Sequence, residues 1–274
     1  MATEPTKEEN GASSKGKSTS HKKRKEKDVF IYGNYKSYYG YRIDRNTKED
    51  PRLAVFKKEW FEGKDCLDIG CNQGIVTIAI AKKFKCRSIV GIDIDGGLIE
   101  SAHWNLRKAS RQVNSNKAQI KGFSDNADNS LSKDEPNVDE EMDLSKVVSF
   151  HRENFVEYLH VSSEKYDAIV CLSVSKWIHL NWGDEGIITL FVKIWRLLRP
   201  GGVFLLEPQP WKSYKQNRLV SETAKANFER IFLHPGKFRE ILLDKIGFRS
   251  AEVITDKLTG TVAGFDRPIT AFYK

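Results

Sequence analysis

The residues Asp68-Ile-Gly70-Cys-Asn72-Gln-Gly74 set a carboxylate beside two glycines at a change of pattern. Before them, Lys64 to Gly70 reads as a short buried strand; after them, GIVTIAIAKKF (74–84) has apolar residues at helical spacing. A strand-to-helix turn at a sheet edge is where open α/β sheets hold ligands, and glycine lets backbone and ligand approach closely. Asp93 ends the next apolar run, 93 − 74 = 19 residues after Gly74. A carboxylate at that distance is placed to accept both hydroxyls of an adenosine ribose. The pair of features points to a nucleoside cofactor.

The pattern is D-x-G-x-x-x-G, with Asn72 in the middle and no third glycine where a dinucleotide fingerprint needs one. Asp68 also repels a pyrophosphate, which would otherwise rest on the helix N-terminus. A carboxylate there suits a cationic or zwitterionic ligand, and S-adenosylmethionine carries both a sulfonium and an ammonium. The expected contacts are Asp68, Gly70, Asn72, Gly74 and Asp93. The bland alternative is an ordinary tight turn with a surface aspartate.

Two further segments fall at the same sheet edge. After the strand YDAIVCLS (166–173) comes the polar, Trp-rich stretch Ser175-Lys176-Trp177-Ile-His179-Leu-Asn181-Trp182-Gly183-Asp184, expected as a loop. After VFLLEP (203–208) come Gln209, Trp211 and Lys212. Each Trp alone reads as core and a lone His as structural, but Lys176, His179, Asn181, Gln209 and Trp211 are predicted to converge. Five of the nine tyrosines lie in YGNYKSYYGY (32–41), followed by Arg42. Tyrosines interleaved with glycine and cations can stack bases and hold phosphate, or close over a cofactor as a lid. We read a lid with substrate contacts. An Asn/Asp-Pro-Pro-aromatic motif after the fourth strand would favour methylation of amino groups; Cys171-Leu-Ser-Val stands there instead.

The elements that must position these residues alternate strand and helix, which predicts parallel βαβ units. Strands are expected at 64–70, 87–95, 147–152, 166–173 and 203–208, with a closing hairpin from 251–255 and 268–273. Helices are expected at 74–84, 98–107, 186–198 and 238–245. The result is one doubly wound α/β domain over 29–274, about seven strands in all. Residues 1–28 carry eight basic and five acidic side chains, include Lys22-Lys23-Arg24-Lys25, and read as a disordered basic tail. The tail suggests nuclear import or a loose grip on nucleic acid. A polar stretch at about 108–146 reads as a disordered insertion. The remainder holds 31 basic against 24 acidic residues, an excess of seven that fits a polyanionic partner. No run is apolar enough to span a bilayer. The four cysteines form no C-x-x-C pair, so neither a disulfide scaffold nor a metal site is expected, and the thiols read as reduced.

Taken together, Tyr32-Gly-Asn-Tyr-Lys-Ser-Tyr-Tyr-Gly-Tyr-Arg42, Leu67-Asp-Ile-Gly-Cys-Asn72, Gly91-Ile-Asp-Ile-Asp95, Lys176-Trp-Ile-His-Leu-Asn-Trp-Gly-Asp-Glu-Gly186 and Glu207-Pro-Gln-Pro-Trp211 resemble the RNA methylphosphate capping enzymes. These are the Bicoid-interacting-protein-type methyltransferases, a family that includes the 7SK snRNA capping enzyme. The resemblance covers nearly all of 29–274 outside the polar insertion. It implies a Rossmann-like class I S-adenosylmethionine-dependent fold. It also implies a cofactor pocket of Tyr39, Arg52, Gly70, Cys71, Asn72, Asp93, Ile94, Asn154, Phe155 and Leu172. The family often has Tyr where Phe155 stands.

The implied reaction is O-methylation of a terminal phosphate at an RNA 5′ end. Such a phosphate has a second pKa of about 6, so its oxygen is already an anionic nucleophile and needs no general base. Lys176 and His179 are expected to hold it, with Asn181 and Tyr35 or Tyr38 as donors. Arg42, Trp177, Gln209 and Trp211 are expected on the substrate side. Three alternatives stay open: a 5′ monophosphate as acceptor, a non-catalytic RNA-binding scaffold of a ribonucleoprotein, and, more distantly, a dinucleotide oxidoreductase. A monomer is expected, in the nucleus with the cytoplasm as an alternative, with RNA and ribonucleoprotein proteins as partners and no membrane.

Overall fold

The computed structural model describes residues 30–36, 38, 49–124 (side chains as far as Arg111), 143–158, 163–255 and 265–274. Tyr39, Arg42, the basic tail and residues 125–142 of the polar stretch lie outside them.

Among the described residues seven strands form one sheet: β1 (Asp65–Ile69), β2 (Ser88–Asp93), β3 (Val148–Arg152), β4 (Tyr166–Leu172), β5 (Leu198–Glu207), β6 (Ser250–Thr255) and β7 (Ile269–Tyr273), in the order β3-β2-β1-β4-β5-β7-β6. The first five are parallel, and β7 runs antiparallel to both β5 and β6. Strand order reverses direction at β1, so a crevice opens beyond the carboxyl ends of β1 and β4. This is the expected doubly wound α/β sheet with a C-terminal antiparallel pair.

The helices are α1 (Ile75–Phe84), α2 (Gly96–Ser124), α3 (Leu144–Val147), α4 (Ser175–Leu197), α5 (Trp211–Asn217), α6 (Glu222–Arg230) and α7 (Phe238–Ile241). One apolar layer packs Phe61, Phe84, Ile80, Leu106 and Phe150 on one sheet face. The other packs Phe191, Phe204, Phe238 and Phe272 under α4. A smaller cluster of Trp177, Leu180, Tyr214 and Ile231 seats α5 and α6 against the start of α4.

Three expectations change. Helix α2 runs to Ser124, so the first part of the expected insertion is helical. Residues 108–121 contain no glycine or proline, and extending an existing helix adds a hydrogen bond for each residue fixed. The stretch expected as a loop after β4 is the first part of α4, which begins at Ser175. Trp177 and Leu180, three apart, share the buried face, and the backbone leaves helical geometry only at Gly183 (φ 63°, ψ −162°). Strand β5 starts at Leu198; its ladder to β4 skips from Leu198 to Val203, so Arg-Pro-Gly-Gly (199–202) bulges outward within the strand. Among the described residues no helix is long and apolar enough to cross a membrane.

Candidate active site

A cavity of about 700 Å³ lies over the carboxyl ends of β1, β2 and β4, with residues 32–35 among its walls. Its floor is the turn from β1 to α1. Gly70 adopts φ +74°, and a Cβ there would lie 2.3 Å from Val174. The N–H groups of Gly70 and Cys71 donate to the carbonyl of Ile92, at 2.8 and 2.9 Å. Asn72, also left-handed at φ 52°, donates its N–H to Asp93 Oδ2 at 2.9 Å. Asp93 Oδ1 accepts from the Asp95 N–H at 3.0 Å. Burial raises the pKa of the Asp93 carboxyl, and these backbone donors pull it back down. Each carboxylate oxygen has a second lone pair, so the group can still accept the two hydroxyls of a ribose.

Glu153, Asn154 and Phe155, just past β3, line the same end with Ile94, and Leu172 adds apolar wall at the end of β4. The loop 155–158 is held from below by Lys193, whose ammonium donates to the carbonyls of Phe155 (3.1 Å), Val156 (2.5 Å) and Tyr158 (2.8 Å). An apolar slot beside a hydrogen-bonding carboxylate fits a nucleoside, and the volume lies within the roughly 300–1,000 Å³ of small-molecule pockets. The residues at this end therefore fit S-adenosylmethionine.

The other end is basic and polar. Lys176 is 4% exposed, its ammonium donating to Ser213 Oγ (3.0 Å) and lying 3.9 Å from the Trp177 ring centroid. Burial and the nearby Arg267 lower its pKa to about 7. Gln209 stitches this corner: its side-chain oxygen accepts from the Lys176 N–H at 3.1 Å and its amide donates to the Ser173 carbonyl. Lys212, Ser213, Gln216 and Asn217 of α5, and Arg267 just before β7, complete the lining.

The aromatic segment is tied down by three amides. Asn34 donates to Asp95 Oδ2 (2.5 Å), Asn72 to the Tyr35 carbonyl (3.2 Å), and Asn181 to the Ile31 carbonyl (2.9 Å). Tyr32 stacks on Trp182, and Tyr35 meets Trp177 edge-on. Tyr32, Gly33, Asn34, Tyr35 and Tyr38 all face the cavity.

Of the residues predicted from sequence, Gly70, Asn72, Asp93, Ile94, Asn154, Phe155 and Leu172 line the cavity, as do Tyr35, Tyr38, Lys176, Trp177 and Gln209. Others do not reach it. Asp68 is buried under the turn, accepts from Thr77 Oγ1 at 2.6 Å and is pushed up to about 6 by burial. Gly74 caps α1 and Cys71 is buried beneath the turn. Arg52 is 2% exposed and forks onto Asp50. His179 is fully buried, 2.7 Å from Asp184 Oδ1 and 3.3 Å from the Tyr214 hydroxyl. Asn181 serves the aromatic segment, and Trp211 packs on Phe228 and His234. Helical twist explains the place of His179: with Ser175–Trp182 wound into α4, His179 turns toward α5 while Lys176 turns to the cavity.

Sequence reasoning missed Glu153, Lys193 and Arg267. Arg267 had a readable signal: a last strand antiparallel to β5 starts at the edge where β5 ends.

The profile of the Bicoid-interacting protein 3 family matches residues 166–274, and that of a methyltransferase domain matches 67–204. The Arabidopsis thaliana "Probable RNA methyltransferase" is 58% identical over 92% of this chain and 83% of its own length. The 7SK snRNA methylphosphate capping enzyme of Homo sapiens is 36% identical over 92% of this chain, which spans only 40% of that protein. The U6 snRNA methylphosphate capping enzyme of Drosophila melanogaster is 36% identical over 89% of this chain and 75% of its own length.

Proposed function

This chain belongs to the Bicoid-interacting protein 3 family of S-adenosylmethionine-dependent methyltransferases, and from that premise we propose that it methylates a terminal phosphate oxygen at the 5′ end of an RNA. One observation carries the acceptor half: a buried ammonium, that of Lys176, faces the cavity at the end away from Asp93. A cavity with a ribose-type carboxylate at one end and cations at the other suits a nucleoside methyl donor and an anionic acceptor together.

When bound, S-adenosylmethionine supplies a sulfonium-activated methyl group, and a phosphate oxygen that takes it has no proton to lose. The protein is then asked to align and desolvate. Gly70, Asn72 and Asp93 hold the nucleoside end, and Ile94, Phe155 and Leu172 exclude water there. Lys176 holds the phosphate, and its link to Ser213 fixes the ammonium. Holding two reactants in near-attack geometry can supply about 7–11 kcal/mol. Tyr35 and Tyr38 close over the reactants and keep bulk water from screening the attraction between them. The names of the relatives support RNA as the class of acceptor.

The test is transfer from methyl-labelled donor to three short RNAs that differ only in a 5′ triphosphate, monophosphate or hydroxyl, followed by nuclease mapping. Label confined to the 5′-terminal phosphate, and absent from the hydroxyl RNA, is expected. The two phosphorylated RNAs compared with each other give the preferred phosphate count. Label on a base or a ribose would overturn the acceptor assignment.

A further inference from the structure

Resting on that reading of the acceptor, we propose that Arg267 is a second cation of the phosphate subsite, aimed into the cavity by a buried relay through Ser173 to Glu207, Arg52 and Asp50. The topology puts it there. Because β7 runs antiparallel to β5, the residues just before Ile269 stand at the edge where β5 ends. Arg267 lines the cavity with Lys176, on a chain segment more than ninety residues away.

The relay has a fixed direction. Arg267 Nη1 donates to Ser173 Oγ at 2.9 Å, and Ser173 Oγ lies 2.7 Å from Glu207 Oε2. An arginine only donates and an ionised carboxylate only accepts, so the serine proton points to Glu207 and its lone pair to Arg267. Glu207 Oε2 also accepts from Arg52 Nη1 at 3.3 Å, and Arg52 forks onto both oxygens of Asp50 at 2.9 and 2.8 Å. Asp50, Arg52, Ser173 and Glu207 are all under 9% exposed. Among the described residues Arg52 is shared between the Asp50 and Glu207 carboxylates, and Ser173 links the second of them to Arg267.

Ser173 marks the place by its backbone. Its φ is +64°, unusual for a residue with a side chain, and such strain persists only where the surroundings over-determine it. Its N–H donates to the Glu207 carbonyl at 3.0 Å, and its carbonyl receives Gln209. The strained turn thus sets the hydroxyl between Glu207 and Arg267. The guanidinium also lies 4.9 Å from the Phe265 ring centroid, which orients its plane. A planar fork of N–H donors matches two phosphate oxygens, where an ammonium supplies only a point charge. Burial first, and then the guanidinium, depress the Lys176 ammonium, as expected of two like charges placed to share an anion.

The experiment compares wild type, Arg267→Gln and Arg267→Lys in two assays: S-adenosylhomocysteine binding by calorimetry, and methyl transfer to 5′-triphosphorylated and 5′-monophosphorylated RNA. Arg267→Gln is expected to keep nucleoside affinity and to lose about 10- to 100-fold in kcat/KM for RNA, the range of a charged hydrogen bond. Arg267→Lys restores only part, and guanidinium ion in the assay raises the activity of an Arg267→Ala enzyme. Unchanged kcat/KM in Arg267→Gln overturns the proposal, and so does a parallel loss of S-adenosylhomocysteine binding. Failure of the wild type to methylate either RNA sinks the acceptor reading instead. Arg267 is then decided by equilibrium binding of the same RNAs, where equal affinity in wild type and Arg267→Gln overturns its role.

Discussion

Lys176 is the residue where burial and chemistry meet. Its ammonium has left water for a tryptophan face and one serine hydroxyl, which makes the charged form costly and brings the pKa down to about 7. The cation is therefore present below that value and lost above it, while a terminal phosphate gains its second charge only above about 6. The kcat/KM for RNA should rise through the phosphate pKa and fall again as Lys176 deprotonates near 7, since this ratio reports the free species. In Lys176→Arg the guanidinium stays charged, and the alkaline limb should disappear even if the maximum is lower. A pH profile with the same alkaline limb in both proteins would remove Lys176 from the subsite. The spacing of Gly70, Asn72 and Asp93 was readable because it is local, fixed by one strand, one turn and the next strand. The orientations of Asp68 and His179 were not readable, because position along the chain does not say which way a side chain points. Residue 68 alternates away from the cavity along β1, and residue 179 follows the twist of α4.

At the level of elements, the segment 30–36 behaves as a strap fastened at three places. Its fit against α4 turns on Gly33, whose φ is +68° and whose missing Cβ would stand 2.0 Å from Trp177 Nε1. Alanine there meets both a disfavoured backbone and an indole that also packs against Tyr35 and Lys176. Gly33→Ala should weaken S-adenosylhomocysteine binding by about tenfold or more, since strain of this kind costs roughly 1–3 kcal/mol. Calorimetric titration decides it, and an unchanged affinity would show that the strap does not serve the cofactor end. The tyrosine-rich composition gave away that this segment was special, but its anchors are long-range. Asn34, Asn72 and Asn181 belong to three separate segments, and no local pattern pairs Asn181 with Ile31. The same limit hid the first turns of α4. Asn181, Gly183 and Asp184 are turn-forming residues, and tertiary packing of Trp177 and Leu180 holds the turns before Gly183 as helix.

For the whole molecule, the sheet class was legible because alternating apolar runs and helices admit few topologies, and the order β3-β2-β1-β4-β5-β7-β6 contains the expected parallel set flanked by an antiparallel pair. What the order does not reveal is the cost of building a site into it. Asp68 sits inside the sheet layer with Thr77 as its hydrogen-bond partner, and burial, opposed by that bond and by Arg52, holds its pKa up to about 6. An unfolded aspartate titrates near 3.9. Between about 4 and 6 the folded protein therefore binds more protons at this position than the unfolded chain. Global stability should fall as pH rises through that window, opposite in sign to a salt-bridged carboxylate. A shift of about two units corresponds to roughly 3 kcal/mol at most. Asp68→Asn keeps an acceptor for Thr77 but does not titrate, so it should flatten this part of the pH dependence and be more stable than wild type above pH 6. Denaturant unfolding at pH 4, 5, 6 and 7 measures it. Parallel curves for the two proteins would mean that the carboxyl at residue 68 is ionised alike in the folded and unfolded states.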